Sequence, residues 1–343
     1  MENIRKDAAL PNVTDWHSID WKKVMLFVGK MQTRIALAET ERDFRRVARL
    51  RRSLIRSWQA RALAVRRVTE NQGKRTSGVD RELWDEPHKK LAAVSRLNQR
   101  DYKARPLRRV YIPKPNGKER PLGIPTMLDR AMQALHLLAL EPTVECASDP
   151  NSYGFRKGRS AHDARAQLFV SLSQKASARW VLDADIEGFF DHINHDWLVA
   201  NVHMHKRTLR TWLKSGVVDA GQLRATAEGT PQGGVISPVL ANVCLNGLEI
   251  GLKAYLKEAL GTVKTKEAKV HLVRYADDFV VTSESRDLLE TIVRPWVEAF
   301  LRERGLRLSE TKTRVVHIDD GWASPSFPDG LLSPLSLLQT ESG

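Results

Sequence analysis

Apolar positions recur with a helical period through the first quarter of the chain. From Trp16 to about Leu97 the pattern is helical, with Val24, Phe27, Val28, Met31, Ile35 and Leu37 spaced for one face. Residues 41–70 repeat it with Phe44, Val47, Leu50, Leu54, Ile55, Trp58, Leu63 and Val65. The turn-rich loop NQGKRTSGVD (71–80) closes these helices. The period then shortens. RPLRRVYIPKPNGKERPLGIP (105–125) reads as a hairpin, two short strands joined by PNGK and bounded by prolines. A long helix is expected over about 127–145, followed by the glycine- and arginine-rich loop DPNSYGFRKGRS. RWVLDADI (179–186) is a strand ending in carboxylates, and HLVRYADDFVVT (271–282) is two strands meeting at an acidic turn. Residues 286–304 read as a helix with Leu289, Ile292, Val293, Trp296, Val297 and Phe300 inward, kinked at Pro295 and ended at Gly305. After HIDDG (317–321) the Ser-, Pro- and Gly-rich tail carries no periodicity. The expected layout is a loose leader (1–15), a helical basic domain (16–97), a mixed helix–strand domain (98–318) and an irregular tail (319–343).

Charge sharpens this. Fifty-five Lys and Arg against 41 Asp and Glu leave +14 over 343 residues, which favours polyanionic partners. The excess concentrates in 41–70, nearly free of acids after Asp43. Like charges at helical spacing repel, so Arg45, Arg46, Arg49 and Arg52 point to an RNA- or DNA-facing surface, the alternative being a solvated face of a helix packed on its own domain. Cys146 and Cys244 form no CxxC pair, which argues against a zinc ribbon or disulfide framework and fits a reducing compartment. MENIRKDAALPNVTDW has no apolar signal core, and LHLLAL (135–140) is far too short to cross a bilayer, so a soluble, cytoplasmic protein without a membrane partner is expected. His192, His195, His203 and His205 have no Cys partners and read as structural or surface residues.

The acids carry the chemistry. Asp183 and Asp185 end one strand, and Asp277 and Asp278 interrupt an apolar, β-branched run where unpartnered charge is costly. Clustered carboxylates raise one another's pKa unless a cation neutralises them. Hard oxygen ligands suit Mg²⁺, and two such ions can assist nucleotidyl transfer.

The ordered motifs resemble group II intron-encoded reverse transcriptases/maturases. RPLRRVYIPKPNGKERPLGIPTMLDRAMQAL is similar to the fingers hairpin, VLDADIEGFFDHINHDWL and GTPQGGVISPVLANVCLNGLE to two palm motifs, and RYADDFVVT to the YxDD signature. DPNSYGFRKGRSAHDA and GLRLSETKTRVVHI resemble the blocks between and after, and the helical segment from Trp16 resembles the N-terminal domain. The resemblance implies an α/β (α+β) right-hand fingers–palm polymerase behind a helical N-terminal domain. It implies two Mg²⁺ ions on Asp185, Asp277 and Asp278 with the Ile186 backbone nearby, and leaves Asp183 as an outer-shell or surface residue. Lys114 and Arg120 match the residues that grip the incoming triphosphate, Phe190 the steric gate (Phe189 being core), and Gln232 the nucleotide pocket. Lys312 is similar to the lysine that protonates departing pyrophosphate. Implied partners are group II intron RNA, a primer–template and dNTPs, in a bacterial cytoplasm.

Family members continue with a primer-grip strand and a thumb, so the tail reads here as truncated or frameshifted, with the thumb missing or supplied by a separate thumb/maturase chain. The competing readings are an RNA-binding splicing factor that does not polymerise, an inactive remnant, and a phage-defence reverse transcriptase, which the N-terminal domain disfavours.

Overall fold

The computed structural model describes residues 13–97, 102–113, 117, 119–230 and 233–320. The PNGK turn apart from Gly117, most of the leader and nearly all of the tail lie outside them. Contacts divide the chain into two compact units, each drawn from two segments: residues 1–146 with 199–240, and 147–198 with 241–343. The strands are β1 (Leu107–Pro113), β2 (Glu119–Ile124), β3 (Trp180–Ala184), β4 (Val217–Asp219), β5 (Gln222–Arg224), β6 (His271–Tyr275), β7 (Asp278–Ser283) and β8 (Arg314–His317).

The first unit begins with helices α1 (Trp21–Thr40), α2 (Phe44–Arg56), α3 (Trp58–Glu70) and α4 (Pro87–Arg96). Asp20, Asp43 and Ser57 cap the first three, each side chain accepting from a backbone N–H three residues on (3.0, 2.9 and 3.2 Å). Val24, Val28, Met31 and Ile35 are buried as their spacing predicts. Leu37 and Phe44 depart from expectation, being 51% and 63% exposed. Leu37 falls off the row that continues through Ala38. Phe44 opens its helix, and helical side chains lean toward a preceding turn that is absent there.

The arginine run is not uniform either. Arg51 falls on the inward row of α2 and is buried, donating from Nε to Ala139 O (2.9 Å) and from Nη2 to Thr143 Oγ1 (2.9 Å), with a further bond from Nη1 to His203 O. Its acceptors lie partly on α5 (Met127–Cys146), which is buried on nearly every side. From α5, Arg130 donates to Pro125 O (3.0 Å), Gly73 O (2.9 Å) and Thr76 O, pinning the 71–80 loop. The fingers-type hairpin forms as predicted, β1 and β2 pairing antiparallel from Arg108–Ile124 to Pro113–Glu119. What the sequence pattern does not announce is the rest of that sheet, ordered β2–β1–β4–β5, in which β1 and β4 run parallel.

The second unit holds an antiparallel sheet ordered β6–β7–β3–β8. Helix α6 (Ala161–Leu172), capped by a reciprocal Ser160–Asp163 box, lays Ala164, Leu168 and Leu172 on Val181, Val273 and Val280. The 149–156 loop runs along β6: Tyr153 N donates to Arg274 O and Arg274 N to Asn151 O, both 2.9 Å. The 286–302 helix is interrupted by a π-helical turn at Leu289–Val293, so Pro295 sits near the start of the second α-segment rather than at a mid-helix kink. Leu289, Val293 and Val297 face inward as expected, joined by Leu301, while Ile292, Trp296 and Phe300 are only half-buried. Gly305 follows with φ +78°. Among the described residues, no helix is long and apolar enough to cross a membrane.

Candidate active site

Strands β6 and β7 are joined by a two-residue turn, Ala276 and Asp277, with Tyr275 paired to Asp278. Ala276 takes φ +59°, a conformation glycine adopts far more readily. Space for it comes from Gly154, where a Cβ would lie 2.1 Å from Ala276 N. Strand β7 also pairs with β3 so that Phe279 faces Ala184, which brings Asp278 beside Asp185 at the end of β3.

Asp185 is fixed by the 305–313 segment. Ser309 N donates to its carbonyl (2.8 Å), and Lys312 Nζ donates to both carboxylate oxygens (3.0 and 3.1 Å). Ile186 bridges Leu308 through bonds made by its neighbours, Ser309 N to Asp185 O and Glu187 N to Arg307 O, so its own carbonyl faces the other edge. The Asp278 carboxyl is pushed up to about 7, first by burial and then by the negative charges of Asp277 and Asp185, with Lys312 pulling the other way. A carboxyl pushed up by burial and by neighbouring negative charge is short of positive charge, which a bound cation would supply. Among the described residues, no three His, Cys, Asp or Glu side chains already stand close enough to ligate one ion. The ammonium of Lys312 holds Asp185 instead.

Asp183 is no surface residue. It is 2% exposed, on the sheet face shared with Val280, and lies 3.8 Å from Arg314 Nη2. Phe189 is core, as expected, and Phe190 is half-buried, its ring 5.2 Å from Phe189 and 6.3 Å from Phe155. Phe155, half-exposed with φ +60°, gave no sign of itself in the sequence.

Arg120 is exposed on β2 opposite Ile112, in the other unit; Lys114 and Gln232 lie outside the described residues. Arg45, Arg49 and Arg52 are exposed on α2, and Arg46 is half-exposed and pairs with Glu41 (2.8 Å). Among the histidines, His205 Nδ1 accepts from Thr208 N (3.4 Å), His203 gives its carbonyl to Arg51, and His195 is buried. Cys244 is fully buried, its thiol pushed up to about 12 by that burial.

An antiparallel sheet with acids converging from two strand ends is a polymerase palm. The chain belongs to the family described as reverse transcriptase (RNA-dependent DNA polymerase), whose sequence model matches residues 112–336, and residues 16–97 match the N-terminal domain of reverse transcriptase. It is 32% identical over 339 residues to protein YkfC of Escherichia coli K12, covering 87% of each chain. It is 35% identical over 198 residues to the group II intron-encoded protein LtrA of Lactococcus lactis subsp. cremoris, covering 54% of this chain and 32% of that one. An uncharacterized 91 kDa protein in the cob intron of Schizosaccharomyces pombe is 25% identical over 308 residues, covering 74% of this chain and 38% of that one. The chain thus spans most of the first relative and less than two-fifths of the other two.

Proposed function

We propose that this chain is an RNA-directed DNA polymerase of the group II intron type, using two Mg²⁺ ions to extend a primer with dNTPs on an RNA template for intron mobility, and binding intron RNA to support splicing. The observation that carries this reading is the convergence of Asp278 with Asp277 and Asp185, mutually repelling acids with Lys312 as counter-charge. Asp185, Asp277, Asp278 and the Ile186 carbonyl would hold the ions, which when bound supply positive charge at the attacking and leaving oxygens. Lys312 gives a proton to the departing pyrophosphate. Phe190 presents a ring against a ribose 2′-OH, and Gln232 contacts the nucleotide. Lys114 and Arg120 neutralise the triphosphate. Arg45, Arg46, Arg49 and Arg52 meet RNA phosphates.

The test is substitution of the acids. Asp277→Asn and Asp185→Asn should abolish primer extension, because each removes charge from transition-state stabilisation worth several kcal/mol, while RNA affinity in a filter-binding assay stays within about twofold. An Asn variant that extends primers like the parent would sink the assignment. A second reading, an RNA-binding maturase that does not polymerise, is favoured by the exposed arginine face of α2. In that case the Asn variants would support splicing undiminished and the parent would extend nothing.

A further inference from the structure

Arg274 lies on β6, 1% exposed, two residues before the acidic turn. A buried guanidinium ordinarily demands a carboxylate partner. The carboxylates of Asp149 and Asp277 act on it only through space, and its hydrogen-bond acceptors are all neutral: Nη1 donates to Asn242 Oδ1 (3.2 Å) and Ala276 O (2.9 Å), and Nη2 to Asn246 Oδ1 (3.4 Å). Nε finds no acceptor among the described residues. A charge kept in the core at such cost, with one bond to the carbonyl of the turn itself, is badly placed for stability and well placed for aiming the residues that follow.

The same turn is gripped from a second side. Gly154 lies against the Ala276 backbone, and Asn242 Nδ2 donates to Gly154 O (3.1 Å), so Asn242 links both grips. Without them, Ala276 has every reason to leave its left-handed conformation, and Asp277 and Asp278 would turn with it.

We propose that Arg274 is a positioning residue: its guanidinium, braced by Asn242, fixes the Ala276 carbonyl and so the direction in which Asp277 and Asp278 present their carboxylates to metal. This rests on the reading of those acids as metal ligands. Groups that orient ligands typically matter about 10- to 100-fold for metal affinity or activity when removed.

The experiment uses the full chain, with Mn²⁺ binding followed by electron paramagnetic resonance and steady-state primer extension in parallel. Arg274→Met should weaken Mn²⁺ binding and lower kcat by about tenfold or more, with KM for dNTP and RNA affinity within about twofold, and Arg274→Lys should recover part of both. If Arg274→Met loses its cooperative thermal transition, Asn242→Ala takes its place, and a smaller loss of Mn²⁺ affinity in the same direction is expected. Loss in Asp277→Asn with none in a folded Arg274→Met or Asn242→Ala overturns the positioning role alone. Unchanged Mn²⁺ binding in Asp277→Asn as well overturns the metal reading beneath it.

Discussion

Two adjacent phenylalanines show how differently neighbouring residues can be used. Phe189 is buried, so Phe189→Ala should destabilise the protein by about 3–5 kcal/mol in a denaturant melt. Phe190 is half-buried against Phe155. Phe190→Ala should leave stability far less changed but lower the preference for dNTP over rNTP, read as a ratio of kcat/KM, by about tenfold or more. Unaltered sugar selectivity would show that its ring is packing only. Asp277 and Asp278 stand out in the sequence because they break an apolar run, an expensive placement that asks for a cation. Arg274 breaks the same run without announcing a role. Nothing in its spacing distinguishes a guanidinium that reaches solvent from one that turns inward to a backbone carbonyl, and Asn242 lies 32 residues away along the chain. The bond between Lys312 and Asp185, 127 residues apart, is equally silent.

Helix α2 carries two kinds of arginine within a few residues. Arg51 donates to acceptors on α5, so Arg51→Ala, which leaves buried acceptors unmet and removes a packed stem, should cost about 2–4 kcal/mol. Replacing Arg45, Arg49 and Arg52 with Gln should change stability by less than about 0.5 kcal/mol each. It should instead flatten the salt dependence of RNA binding by about 0.7 in log–log slope for each single-strand phosphate that is no longer neutralised. An unchanged slope would mean that this face is merely solvated. Composition identified a basic helix, and its period identified most inward positions. Because Arg51 keeps an apolar stem and a polar head, hydropathy alone could not sort it from Arg49 or Arg52. Strands β4 and β5 are illegible for a simpler reason, since three residues each are too few to show alternation.

The first compact unit closes only with residues from far along the chain. Residues 199–240 supply β4 to the open edge of β1, and Trp212, whose Nε1 donates to Tyr102 OH (2.7 Å), which in turn donates to Asp129 of α5 (2.6 Å). A fragment of residues 1–146 should therefore bind a hydrophobic dye and melt without a cooperative transition, and adding 199–240 on a short linker should restore one. Cooperative melting of 1–146 alone would show that the later segment is dispensable. The arrangement also has a consequence in time. A ribosome working at roughly 5–20 residues per second finishes α5 several seconds before it reaches β4. Throughout that interval a helix meant to be covered on nearly every side stands half-dressed on the nascent chain, and the unpaired edge of β1 beside it invites the wrong partner. The order of synthesis makes the middle of this protein the stretch whose early exposure chaperones must bridge.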